Sequence, residues 1–179
     1  MPVTESERSR RAVYRVSDNF LSFYLGVLSR FRADIERGLR EGILPVLTES
    51  LDDHLGGPWE EMVRIHLRHR AAGGEFGKGI VALGPWWSDN SDTEIDLVAL
   101  SGRSRVPVLA GEVKWARRQD AARLARKVRA KAARLPGVSD PDELQVVVCA
   151  REVLDNLPAW TTGITTADVF TLPEQSRAR

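Results

Sequence analysis

The sequence predicts a mixed α/β (α+β) fold in which helices flank a three-stranded meander. Apolar residues recur at helical spacing over residues 17–38 and again over residues 116–135. Between these segments, three runs rich in Val, Leu and Ile are separated by short polar loops, which is typical of antiparallel strands. A chain of 179 residues, 42% of them hydrophobic, can bury the core of one domain.

The N-terminal part is predicted to be a tail followed by a helical extension. Residues 1–12 show no periodicity and are expected to form a disordered tail. The extension, residues 13–56, is expected to pack on the core. Its first helix begins after the N-cap Ser17 and ends at Gly38.

The rest of the extension, residues 39–56, mixes leucines and acids around Pro45 and favours one helix or two. It has no lysine or arginine near Glu49, Asp52 and Asp53, so we expect this surface to face away from any nucleic acid.

Residues 57–179 are predicted to form the core as a single compact unit. A helix begins at Pro58, which suits a first helical position, and ends near Arg70. The remaining predicted elements are strands over 79–87, 93–101 and 106–115, a helix over 116–135, a strand over 144–150, and a short helix with an edge strand within 153–172.

Several classes of protein are excluded by composition. No apolar run approaches the ~18 residues of a membrane span, and the first residues lack the apolar core of a signal peptide. We therefore expect a cytoplasmic protein without a membrane partner. The single cysteine, Cys149, cannot form a disulfide framework or a Cys-rich zinc site, and is expected to be a buried strand residue.

Charged residues interrupt two of the apolar strands. Asp96 lies within the second strand, where an uncompensated carboxylate is costly to bury. Glu112 and Lys114 end the third strand and, being two residues apart, share one face. If Asp96 shares that face, the two carboxylates need a cation between them, and oxygen ligands suit Mg²⁺ or Mn²⁺. A nearby lysine can orient a metal-bound water.

The helix beginning at Pro58 offers a third carboxylate. Glu60 lies at the rim of its apolar stripe, whereas Glu61 points to the opposite side. An alternative interpretation stays open: Asp96 pairs with an arginine, Glu112 and Lys114 form a solvated ion pair, and Glu60 is a surface acid.

The motifs resemble two related groups of proteins. An acid on a helix, Glu-x-Asp on one strand and Gly-Glu-x-Lys on the next are similar to the PD-(D/E)XK nuclease superfamily. From Val13 onward the chain also resembles the uncharacterised carboxyl-terminal domain of a group of prokaryotic P-loop ATPases. The segments that carry the second resemblance are residues 14–21, Trp59-Glu60, Trp86-Trp87, 94–96 and 111–115.

The resemblance implies a restriction-endonuclease-like core and a role for each acid. Asp96 and Glu112 would be metal ligands, Glu60 an accessory acid and further ligand, and Lys114 the water-positioning residue. The function implied is a Mg²⁺-dependent (or Mn²⁺-dependent) nuclease that hydrolyses DNA. The alternative is a non-catalytic nucleic-acid-binding or regulatory module of a P-loop ATPase system. Candidate partners besides DNA are that ATPase module and a second copy of the chain in a homo-dimer.

The helix after the Glu-x-Lys strand is strongly basic. Most of its charges lie away from the apolar stripe of Leu124 and Val128, where they would face a phosphate backbone beside the acids or else simply be solvated. The candidate DNA-binding residues are Arg117, Arg118, Arg123, Arg126, Lys127, Arg129, Lys131 and Arg134.

Other motifs favour structural roles. The glycine-rich segment 73–79 lacks the P-loop spacing, so we interpret it as a helix-to-strand connection and predict no nucleotide site. His66 and His69 have no evident third ligand, and we expect a partly solvated helix face. Trp86, Trp87 and Trp115 could stack bases, but packing is the preferred interpretation for most of them.

Overall fold

The computed structural model describes residues 3–4, 16–77, 79–89 and 92–171. The predicted disordered tail, residues 1–12, lies outside the described residues except for Val3 and Thr4. The backbone N–H of Val3 donates to the carbonyl of Pro85 at 2.8 Å, and its side chain packs against the core.

The N-terminal helices follow the predicted order. The first helix α1, Asn19–Phe23, continues through a π-helical turn, Tyr24–Leu28, into α2, Ser29–Glu36. Its N-cap is Asp18 rather than the predicted Ser17, because the Asp18 carboxylate accepts the N–H of Leu21 at 2.6 Å.

Two longer helices complete this part of the chain. Helix α3, Arg40–His54, forms one element with Pro45 inside it, and α4, Gly56–Ala72, begins two residues before the predicted start at Pro58. Within α1 to α3, Ile43 is the one buried residue, so this extension adds little to the core. None of the helices among the described residues is long and apolar enough to cross a membrane.

The central sheet has five strands in the order β1-β2-β3-β5-β7. The first three form the predicted antiparallel meander, whereas β3, β5 and β7 are parallel. Their bounds are β1 Ile80–Trp87, β2 Glu94–Ser101, β3 Val106–Val113, β5 Gln145–Cys149 and β7 Thr161–Ile164.

The helix predicted over 116–135 is shorter in the structure, because its first residues form a strand of a small second sheet. Strand β4, Arg118–Asp120, pairs in parallel with β6, Val153–Asp155, and helix α5, Ala121–Ala132, begins only after it. Asp120 caps α5 by accepting the N–H of Arg123 at 2.7 Å. The last helix, α6, is Thr166–Phe170.

The two main helices pack on opposite faces of the sheet. Helix α5 buries its apolar stripe in a cluster with Ala110, Val146 and Val148. Helix α4 joins a second cluster that contains Leu97 and Leu109. The structure therefore confirms the mixed α/β class and the core order of helix, meander, helix and strand.

Gly111, in the Gly-Glu-x-Lys segment, lies where β3 and β5 approach closely. A Cβ at Gly111 would lie 2.7 Å from the backbone oxygen of Val147, and a backbone atom cannot swing aside. We expect Gly111→Ala to lower the free energy of unfolding by about 1–3 kcal/mol in urea denaturation.

Gly42→Ala is the matched control. A Cβ at Gly42 meets nothing within 4 Å in α3, so this variant should keep or raise stability, by up to about 1 kcal/mol. Equal effects of the two substitutions on the free energy of unfolding would show that the close approach of β3 and β5 at Gly111 does not matter for stability.

Candidate functional site

Two carboxylates are buried next to each other in the meander. Asp96 on β2 is 8% exposed and Glu112 on β3 is 2% exposed. Glu112 is two residues beyond Ala110, which packs against α5, so the side chain of Glu112 projects to the α5 side of the sheet. Buried carboxylates are tolerated only with hydrogen bonds or opposite charges.

Lys114 supplies a charge to both acids. Its Nζ lies 2.8 Å from Oε1 of Glu112 and 3.4 Å from Oδ2 of Asp96. The two carboxylates therefore face a common space, as the sequence predicted. Burial would lower the pKa of Lys114, but the hydrogen bond to Glu112 and the charge of Asp96 raise it above its ordinary value, so the amine is held as an ammonium.

Asp96 is fixed where the pairing of β2 with β3 ends. The register of this pair runs from Ser101 with Val106 to Leu97 with Gly111. Beyond that point the N–H of Val113 donates to Oδ2 of Asp96 at 2.8 Å. The carboxylate of Asp96 thus accepts a backbone N–H just beyond the end of the β2–β3 pairing. This hydrogen bond explains why an aspartate is present in an apolar strand.

A second lysine, Lys131, also pairs with Glu112. The sequence had predicted this lysine to lie on the DNA-binding face. Lys131 on α5 places its Nζ 2.6 Å from Oε2 of Glu112. Lys127, one turn earlier, lies 4.0 Å from Oε1 of the same carboxylate. Their spacing of four residues puts both on one helix face, but only the packing of α5 on β3 reveals that this face meets Glu112.

The lysines also set the protonation state of Glu112. Burial would raise its pKa, but hydrogen bonds from Lys114 and Lys131 and their charges hold the pKa below the ordinary glutamate value. Glu112 is therefore ionised near neutral pH.

Glu60 lies on a different helix and pairs with an arginine. It belongs to α4, which packs on the opposite face of the sheet, and its Oε2 lies 3.5 Å from the buried Arg64. Burial, followed by the charge of Asp96, raises the pKa of Glu60, so the two carboxylates influence each other electrostatically. Arg64 is buried on α4 and pairs with both Glu60 and Glu61.

The sequence predicted three metal ligands, Asp96, Glu112 and Glu60. Among the described residues, no group of three or more His, Cys, Asp or Glu side chains is arranged to hold a metal ion. Glu60 therefore does not complete a three-acid cluster with Asp96 and Glu112.

The eight predicted DNA-binding residues divide into three sets. Arg123 and Arg126 are exposed on α5 and form no ion pair within 4.0 Å in the described part of the chain. Lys127 is exposed near Glu112. The others pair with protein acids as follows: Arg117 with Glu152, Arg118 with Asp155, Arg129 with Asp142, Lys131 with Glu112, and Arg134 with Asp92.

Most of the residues assigned to packing do pack. Trp86 lies in the core, and the ring of Trp115 lies 5.8 Å from that of Trp59. Trp115 also donates from Nε1 to Asp52 at 3.0 Å, so acidic α3 reaches the end of the Glu-x-Lys segment. Cys149 is fully buried, which raises the pKa of its thiol. On α4, His69 is exposed and His66 half-buried, as expected.

Comparison with known proteins identifies the family. Residues 24–127 match the model of DUF234, described as "Archaea bacterial proteins of unknown function". This range covers more than half of the chain and includes both buried carboxylates and Lys114. The chain therefore belongs to this family, in agreement with the expected relation to an uncharacterised prokaryotic domain.

One curated relative is longer than this chain. "Uncharacterized protein MJECL04" of Methanocaldococcus jannaschii is 26% identical over 149 residues, which are 82% of this chain and 33% of that protein. The chain thus spans about a third of the length of the relative it matches. No solved structure matches the chain.

Proposed function

We propose that the chain is a metal-dependent nuclease that hydrolyses DNA phosphodiester bonds at Asp96, Glu112 and Lys114. One observation carries the proposal: two buried carboxylates on neighbouring strands share a single cationic group, with an exposed basic helix face beside them. The resemblance of the Glu-x-Asp and Gly-Glu-x-Lys segments to the PD-(D/E)XK superfamily supports it.

The donor chemistry fits a magnesium or manganese ion. Asp96 and Glu112 offer only oxygen atoms, the ligands that these hard cations take. The space between the carboxylates already accommodates a positive charge, the ammonium of Lys114. Asp96 and Glu112 would hold the ion, and Glu60 would act through its charge.

A bound divalent cation would supply Lewis-acid polarisation of the phosphate and a more acidic water. The chain's own residues supply the rest. Lys114, hydrogen-bonded to Glu112, would orient the attacking water, and the low exposure of both acids strengthens each charge interaction at the site. Arg123 and Arg126 on α5 are available for phosphate contacts.

One observation favours the alternative, a nucleic-acid-binding or regulatory module. Lys114 and Lys131 together neutralise Asp96 and Glu112, so the acids are already compensated by the chain itself. Such a module would serve a larger assembly, such as a P-loop ATPase, or a second copy of the chain. Such a module would need neither a bound metal ion nor cleavage of DNA.

Metal binding separates the two functions first. In calorimetric titration with Mn²⁺, we expect one site that Asp96→Ala or Glu112→Ala abolishes, because each removes one of the two ligand carboxylates. Glu60→Ala should weaken binding less, and the exposed acid Asp53 provides a control, Asp53→Ala, that should leave it unchanged. Undiminished Mn²⁺ affinity in both ligand variants would contradict the metal site.

Cutting is the direct test of catalysis. With Mg²⁺ and plasmid DNA the protein should nick or linearise the substrate. Lys114→Ala should lower the rate by about 10²–10⁴-fold and DNA affinity much less, because the lysine orients the water and the basic residues of α5 keep their phosphate contacts. If duplex, branched and single-stranded DNA all remain intact with every divalent ion, the binding module becomes the better account.

The basic face predicts a salt dependence. Replacing Arg123 and Arg126 with glutamine should make the slope of log DNA affinity against log salt concentration less steep, by about 0.9 for each charge removed. The change should be the same for all DNA sequences. Arg103→Gln, in the turn between β2 and β3 at the other end of the sheet, is the control for net charge. A double reversal to glutamate without effect would show that this face is only solvated.

A further inference from the structure

We propose that Lys127 and Lys131 form a phosphate subsite with Lys114, directly over the acid pair. This inference rests on the proposed nuclease function and deepens it by naming the group on the substrate that these lysines take. The proposed subsite is distinct from the outer arginines of α5, which would contact phosphates elsewhere along the DNA.

The four side chains form a layered arrangement from interior to solvent. The side chain of Glu112 is 2% exposed, that of Lys131 21%, that of Lys114 39% and that of Lys127 60%. The side chain of Glu112 is therefore the least exposed of the four. The three lysine side chains are more accessible to a ligand from solvent than the carboxylate that they contact.

The charges at this point do not balance. Two carboxylates, Asp96 and Glu112, face three ammonium groups within 4.0 Å of one or both of them. Glu60 does not correct the excess, because it is paired with Arg64. A divalent cation held by the acids would increase the positive charge further, so the site is complementary to an anion.

The hydrogen-bonding capacity points to a phosphate. Each lysine ammonium has three donors, yet Lys131 makes one hydrogen bond in the described structure, to Glu112. Phosphate offers several acceptor oxygens and can take donors from α5 and from the end of β3 together. The group could be a terminal phosphate of a strand or an internal diester, and the same lysines suit both.

The first experiment uses inorganic phosphate. Calorimetry with Mg²⁺-loaded protein should show one phosphate site, weakened at least ten-fold by Lys131→Met, which keeps most of the apolar stem and removes the charge. Lys127→Met should also weaken phosphate binding. Because Lys127 is exposed, this substitution should not unfold the protein. Arg103→Gln should bind phosphate like the wild type. No phosphate binding by the wild type, or equal affinity in all four proteins, would overturn the subsite.

A second measurement distinguishes the two sources of phosphate. Short duplexes with a 5′-phosphate or a 5′-hydroxyl are compared in Ca²⁺, which takes similar oxygen ligands. A terminal-phosphate subsite predicts that Lys131→Met loses affinity only for the phosphorylated duplex, and an internal one predicts equal losses for both. Unchanged affinity for both duplexes contradicts the proposal.

These outcomes are separable from failure of the nuclease proposal. Phosphate binding that depends on Lys131 in a protein that cuts no DNA would support the subsite and reject catalysis. Cutting that persists in Lys131→Met, with unchanged affinity for phosphate, would support catalysis and reject the subsite.

Discussion

The burial of two carboxylates beside each other constrains this whole region of the protein. Asp96 and Glu112 lie on adjacent strands with almost no exposure, and their repulsion must be compensated in place. Lys114, which follows directly after β3, and Lys131 on α5 provide that compensation. Removing either cation leaves a poorly compensated charge, an arrangement that usually costs several kcal/mol in a buried site.

The scaffold explains how these groups meet. Pairing of β2 with β3 brings the acids together, and the end of that pairing frees the N–H of Val113 for Asp96. Helix α5 packs on the same face of the sheet and delivers Lys131 to Glu112. The acids, the lysines and the basic helix face are therefore consequences of one packing arrangement between a meander and the helix that follows it.

The sequence was sufficient for the meander and for the shared face of Glu112 and Lys114, because a period of two fixes which strand residues share a face. Whether Asp96 joins them depends on the register of β2 with β3, which the sequence left open. The sequence was insufficient for Lys131, whose helical spacing is equally compatible with solvent and with Glu112 until α5 is docked. It also missed β4 and β6, since strands of three residues carry too little periodicity to be detected. Nuclease activity, DNA binding and the domain boundaries stay predictions.

The most direct test of the central claim is anomalous scattering from crystals grown with saturating Mn²⁺. The account predicts a manganese peak within about 2.5 Å of a carboxylate oxygen of both Asp96 and Glu112, typical of hard cations bound by oxygen. A map without such a peak, in which Lys114 still bridges the two carboxylates, would contradict the metal-dependent site and favour a module compensated by its own lysines.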